Sequence, residues 1–329
     1  MTGRWARWVA SLAHRPRTGD APRLVIVRHH RVYGSDEHPL YRLGVSRGLL
    51  EAQLGWLARA GLTPVTVSDG LQRMARGEPG VHVAMTFDDG YADNVERALP
   101  ALERHGARAT FFLAAGLIEE RRAPWWDRLA HALARTRLPR PAAAGLPALA
   151  ADADRGAALA PAMAALRRPP EEQERMLAEI ERTLDAGPAP CELGTWDQLA
   201  RLRDAGMEIG AHTLTHPFLS LLSRERQREE IAGSVARIET RLGVRAAGLA
   251  YPGGDHDAVT VAVAEDCGLA WAVTTQAGDN RPGASRFELR RRGLSEGACT
   301  IPTGRFSSRL ARAELDGAFD RLRGVEAVA

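Results

Sequence analysis

The sequence predicts an α/β protein with parallel strands inside and helices outside. Short apolar runs of four or five residues recur without the polar alternation of a half-exposed strand, and amphipathic helical stretches separate them. The chain of 329 residues is long enough for one α/β barrel or for two domains.

Residues 1–22 form a basic N-terminal arm, with Arg4, Arg7, Arg15 and Arg17 around Trp5, Trp8, Val9 and Leu12. No apolar core of a secretory signal follows. The arm is expected to be a frayed tail, with weak contact to an anionic membrane surface as the alternative. No apolar run approaches the length that spans a bilayer, so the expected location is cytoplasmic, at most peripheral to the membrane.

From residue 23 to 329 the chain is expected to be a single barrel domain. Leu24–Val27 is a strand buried on both faces, ending in Arg28-His29-His30-Arg31. Ser46–Ala60 carries Leu49, Leu50, Leu54 and Leu57 at helical spacing, and Gly61 stops it. Pro64–Val67 reads as the next strand, followed by a helix over Leu71–Arg76. Val81–Phe87 is the central strand, ending in Asp88-Asp89-Gly90, with a helix over Asp93–His105 and a strand over Ala109–Leu113.

Between about residues 121 and 190 the rhythm breaks. Trp125 and Trp126 open a helix, an Ala/Pro-rich stretch follows, and Glu171–Leu184 is a charged helix. This segment reads as a helical insertion capping the barrel, with the tryptophan pair as packing rather than a sugar platform.

The rhythm resumes with Thr195 capping a helix over Trp196–Asp204 and with Met207–Ala211 running into His212. A helix over Ser223–Leu242 ends at Gly243, and Gly248–Gly254 is a strand and turn. A helix over Asp257–Cys267, strands over Ala270–Thr275 and Phe287–Arg291, and a last helix over Ser307–Arg323 complete the chain.

Composition removes several chemistries. All 44 basic residues are arginine, so no lysine is present for a Schiff base or a P-loop. No basic stretch carries interleaved stacking aromatics, and no nucleic-acid partner is expected. The three cysteines, Cys191, Cys267 and Cys299, lack metal or redox spacing.

Chemistry concentrates at two places. Asp88 and Asp89 are adjacent carboxylates at a strand end, and burying both requires positive charge nearby. A divalent metal supplies it: one aspartate binds while the other is free to take a proton. Gly90 lets the backbone turn, and Tyr91 begins the next helix with its N–H toward the site. His212 and His216, four apart on a helical turn, project to one side and can share the same ion. Two histidines, one carboxylate and a spare carboxylate are what metal-assisted hydrolysis requires.

Thr86-Phe-Asp-Asp-Gly-Tyr91, His212-Thr-Leu-Thr-His216 and Tyr251-Pro-Gly-Gly254 resemble, in the right order, the three leading motifs of the polysaccharide deacetylases. These are carbohydrate esterases related to chitin and peptidoglycan deacetylases, and the resemblance extends over about Arg23 to Arg292. It implies a deformed (β/α)7 barrel and metal-dependent removal of N-acetyl groups from the amino sugars of a polysaccharide or glycoconjugate. It also implies Asp89, His212 and His216 as ligands of one divalent ion, Zn2+, and Asp88 as general base. The Tyr91 N–H would be an oxyanion donor, and Tyr251 to Gly254, Pro252 included, would line the groove for an N-acetylated carbohydrate.

Two departures stand out. Ala250 occupies the place of an arginine that orients the base in the family, and Arg291 is the candidate to orient it instead. The late Leu-x-His acid is absent. A branch of the family acting in exopolysaccharide biosynthesis carries a Tyr-His pair after its first strand instead, and Val27-Arg-His-His-Arg-Val32 resembles it, with His29 at the Tyr position and His30 at the acid position. His256 is the fallback acid. The rival readings are a carbohydrate-binding relative without activity, and a metal hydrolase of another amide or ester.

Overall fold

The computed structural model describes residues 2–16, 19–37, 39–136 and 155–320. Its strands are β1 (Arg23–His29), β2 (Arg31–Tyr33), β3 (Gly44–Ser46), β4 (Val81–Phe87), β5 (Ala109–Leu113), β6 (Glu208–Ala211), β7 (Gly248–Ala250), β8 (Trp271–Val273) and β9 (Arg291–Gly293). β2 and β3 pair with each other. The rest form one seven-stranded parallel sheet in the order β8-β7-β6-β5-β4-β1-β9.

The segment entering β9 runs beside β8: Leu289 N–H donates to Ala272 at 3.0 Å, and Thr274 N–H to Leu289 at 2.8 Å. The sheet thereby nearly closes into the deformed (β/α)7 barrel that the sequence leads one to expect. Alternation along the strands then decides which side chains face inward. Leu24, Ile26, Ala84, Phe112, Ala250, Val273 and Leu289 pack together in the barrel interior, while Val25, Val27, Met85, Phe87 and Phe111 pack into the main helix-covered core. Continuing the same parity places Arg28 and Asp88 at the C-terminal mouth of the barrel, where such folds keep their chemistry.

Several elements differ from expectation. Pro64–Val67 is not a strand: only Val65 bridges to Ala84, because the Thr66 hydroxyl accepts from Asp69 N–H at 3.1 Å and caps the helix Val67–Ala75. The helix expected over Asp93–His105 begins as a π-type turn, Asn94–Ala98, before the α-helix Leu99–Arg104. Pro100 lacks the N–H that would continue a regular ladder. Of the strand expected over Phe287–Arg291, only Leu289 bridges before Arg291, since the Asn280 side chain takes both backbone groups of Arg290, and Arg291 opens the strand proper, β9. The last helix covers Ser308–Leu315, and residues 321–323 lie outside those described.

The N-terminal arm is not a frayed tail. Thr2–Ala13 is a helix packed against Ser308–Leu315: Arg7 pairs with Glu314 and stacks on Phe319 at 4.8 Å, and His14 Nε2 meets Asp316 at 3.0 Å. A buried carboxylate needs a cation, and the arm provides one to Glu314 through Arg7. Trp5, Val9 and Leu12 remain exposed. Among the described residues no helix is long and apolar enough to cross a membrane.

The insertion contributes helices Trp125–Arg135, Arg155–Ala165 and Pro170–Leu184, which share a core of Leu129, Leu133, Leu159, Leu166, Leu177 and Ile180. The middle helix was not expected from the Ala/Pro-rich stretch. Residues 137–154 of the insertion lie outside those described.

Candidate metal centre and catalytic cleft

β4 ends in Asp88 and Asp89, both buried, and Gly90 follows at φ 87°. A Cβ at Gly90 would sit 3.0 Å from Leu113 and from Ile118, so glycine serves both the turn and the packing. The turn sends the two carboxylates to different partners. Asp89 faces His212 and His216: its Oδ1 is 3.3 Å from His212 Nε2 and 3.8 Å from His216 Nε2, and the three side chains can offer ligand atoms within 4.8 Å of one another.

The donor set fits a divalent ion. Both Asp89 oxygens are buried without a hydrogen-bond partner among the described residues, a costly state unless a cation meets them. The His212 Nδ1–H donates to the Ala250 carbonyl at 2.7 Å, so in the neutral ring the Nε2 lone pair faces Asp89. Asp89, Thr213 and His216 hold positive φ of 77°, 62° and 60°, so backbone strain is concentrated at this cluster.

The histidines do not share a helical turn as their spacing leads one to expect. They lie on a loop after β6, shaped by Glu230, which accepts from the Leu214 and Thr215 N–H groups at 2.9 Å each. Nothing in the sequence around Glu230 distinguishes it from its charged neighbours on the same helix. His216 packs on Trp126 at 4.2 Å between ring centres.

Asp88 is held by Arg291. The guanidinium donates to both carboxylate oxygens, at 2.7 and 2.8 Å, and also to the Thr274 carbonyl at 2.8 Å. Burial would raise the Asp88 pKa, but Arg291 and, after it, His30 outweigh that and hold the carboxyl well below the usual range. The arginine absent at Ala250 on β7 is thus supplied from β9.

His30 follows β1 and enters the same cavity, with Nε2 3.7 Å from Asp88 Oδ2. Its backbone carbonyl is fixed by Asn94 at 2.7 Å. Burial lowers its pKa to about 4 despite the nearby Asp88.

His29 points the other way, onto Phe87 at 5.4 Å, with Nε2 buried and unpartnered. Burial lowers its pKa from 6.5 to about 3. The unfolded chain therefore binds this proton more readily than the folded one, so the stabilisation is complete above pH 6.5 and is lost as pH falls toward 3. The melting temperature should be flat near pH 7 and should fall between about pH 6 and pH 4, less steeply in His29→Phe. Identical acid slopes for parent and variant would remove His29 as a contributor.

Asp88, Asp89, His30, His212, His216 and Arg291 line one cavity of about 560 Å3. Trp125, Met163 and Arg167 from the insertion, with Phe218 and Tyr41, build its outer wall. The tryptophan pair therefore divides its duties. Both rings line the cavity, but Trp126, only 3% exposed, is also tied into the packing by donating to Tyr91 Oη at 2.8 Å, whereas Trp125 stands in the wall against Phe218.

The groove assignment also needs correction. Tyr251 and Gly253 line the cavity; Pro252 and Gly254 do not, because Pro252 is buried and Gly254 is packed against Thr275. Tyr91 is likewise absent from the wall, its phenol donating to Asp127 at 2.8 Å, although its backbone N–H has no acceptor among the described residues. His256 is tied to the Gly254 carbonyl at 2.9 Å and stacked on Tyr251, away from the cavity.

A family model described as polysaccharide deacetylase matches residues 75–272. His30 and Arg291 fall outside that span. An uncharacterized protein of Streptomyces coelicolor is 37% identical over 102 residues, which is 31% of this chain and 39% of that protein. YxkH of Bacillus subtilis, named as a candidate polysaccharide deacetylase, is 21% identical over 283 residues, covering 85% of this chain and 75% of its own length. Among solved structures, IcaB from Ammonifex degensii aligns with a TM-score of 0.59 at 22% identity, over 90% of this chain and 98% of that one. The Streptococcus pyogenes deacetylase PplD, in complex with acetate, aligns with a TM-score of 0.57 at 18% identity, over 85% and 94%. At these identities the structural likeness speaks to the fold.

Proposed function

The chain belongs to the polysaccharide deacetylase family, and from that premise we propose that it is a metal-dependent hydrolase removing N-acetyl groups from the amino sugars of a polysaccharide or glycoconjugate. The observation that carries the reading is the division of labour at the end of β4. Asp88 is clamped by Arg291, and Asp89 is bare toward two histidines in the same cavity.

Asp89, His212 and His216 would hold one divalent ion, and two imidazoles with a carboxylate suit Zn2+. When bound, that ion supplies a Lewis acid for the acetyl carbonyl and makes water more acidic.

The chain's own residues then handle the proton. Arg291 keeps Asp88 ionised and aimed, so its carboxylate can accept the proton of the attacking water. His30 is neutral down to about pH 4 and becomes an acid only by gaining a proton, which Asp88 at 3.7 Å can pass to it. The C–O bond forms as the water gives its proton to Asp88, and that proton then goes by way of His30 to the leaving amine nitrogen as the acetyl C–N bond breaks. The unbonded Tyr91 N–H is the candidate donor to the developing oxyanion.

Two sequence features spoke for a non-catalytic relative: the missing arginine and the missing late histidine. What supports catalysis is that Arg291 and His30 stand beside Asp88 in their place.

The test is acetate release from N-acetylated oligosaccharides. The protein as purified should release acetate, chelation should stop it, and added Zn2+ should restore it. His212→Ala should neither bind the ion nor release acetate. A fully metal-loaded protein that releases none from any N-acetylated glycan would overturn the reading.

A further inference from the structure

Of the three arginines that line the cavity, two have identifiable partners and Arg28 does not. Arg291 is bound to Asp88, and Arg167 pairs with Asp255 and lies 5.3 Å from the Phe218 ring centre. Arg28 lies at the end of β1, opposite Thr86 in the register, and lines the cavity with Tyr41 and His30. Among the described residues no acceptor lies within hydrogen-bonding or ion-pairing reach of its guanidinium. Burial, then the like charge of Arg291, push its pKa down from the ordinary arginine value.

A largely buried, unpaired guanidinium is costly, and its cost is offset when an anion meets it. The two aspartates do not fill that role. Both oxygens of Asp88 are taken by Arg291, and the oxygens of Asp89 accept from no group. A divalent ion at Asp89 would add positive charge to this mouth and make the imbalance larger. A planar donor fork open to a substrate cavity is suited to an oxyanion, which it can bind through two parallel hydrogen bonds. Tyr41 shares that part of the wall.

We propose that Arg28 binds a carboxylate or phosphate on the glycan, so that the cleft prefers amino-sugar substrates carrying an oxyanion close to the acetamido group. This rests on the carbohydrate reading of the cleft above.

The experiment measures binding, by calorimetry on the metal-loaded protein, of glucosamine-containing disaccharides that are already deacetylated. One is neutral, one carries a neighbouring uronic acid, and one carries a phosphate ester. The parent should bind a charged disaccharide at least about tenfold more tightly than the neutral one, the order of a single charge-assisted contact. The carboxylate and phosphate arms tell the two sources apart. Arg28→Gln should abolish the preference, and Arg28→Lys should keep part of it. Equal affinities for all three in the parent overturn the proposal without recourse to a variant, as does a preference that survives in a folded Arg28→Gln. Charged-ligand preference in a protein that releases no acetate would sink the deacetylase reading and leave this one standing. Acetate release from neutral glycans with no preference for charge would do the reverse.

Discussion

Asp88→Asn is expected to bind its divalent ion as the parent does and to release acetate about 10²–10⁴-fold more slowly. The substitution keeps the shape of the side chain, and the ligand set of Asp89, His212 and His216 does not include it. What it removes is the negative charge that Arg291 orients and that stands 3.7 Å from His30. An amide can take no proton from the attacking water. His30→Ala should show a related phenotype, with metal binding intact and turnover at neutral pH reduced, because the amine then leaves without its acid. The informative measurement is metal content beside acetate release for each variant. Parental turnover in Asp88→Asn would remove Asp88 as the base, and an unaffected His30→Ala would move the acid role away from β1. His256 is not the next candidate, since it is bonded into the Gly254 turn.

Arg291→Met should be the most destabilising single change at the site. The pair with Asp88 is almost entirely out of solvent, with side chains 1% and 3% exposed, and it is bidentate. Deleting one partner of a buried pair strands the other charge, which typically costs about 3–5 kcal/mol. Burial would then be opposed only by His30 and His212, and the Asp88 pKa would rise, so that less of the base is ionised at a given pH. Chemical denaturation of the parent, Arg291→Met, Asp88→Asn and the double variant closes a thermodynamic cycle. The double variant should be much more stable than the sum of the single losses. Additive losses would mean that the two side chains are coupled only in appearance, and that Arg291 serves the barrel seam rather than the base.

The helix limits near Ser46, Thr195, Ser223 and Asp257 were legible because each is a local event: a side-chain oxygen meets a backbone N–H within three residues. The strand leading into Asp88-Asp89 and the meeting of Asp89 with His212 and His216 were legible because motif order and chemistry constrain them. Val65 shows where local reading fails, since β propensity lost to the Thr66 cap immediately beside it.

The sequence by itself determined the α/β rhythm and, through its motifs, the barrel class and the four side chains on which the proposed metal hydrolase rests. Only the tertiary structure decided how those side chains are served. Arg291 reaches Asp88 across 203 positions of sequence, Glu230 shapes the loop of His212 and His216 from a helix beyond it, and Arg28 has no partner among the described residues at the cavity wall. Periodicity and caps are written within a few residues of one another, whereas a charge finds or lacks its partner only when distant strands are brought side by side. Closure of the sheet between β8 and the segment entering β9 does that here, carrying Arg291 to the mouth of the barrel where Asp88 waits.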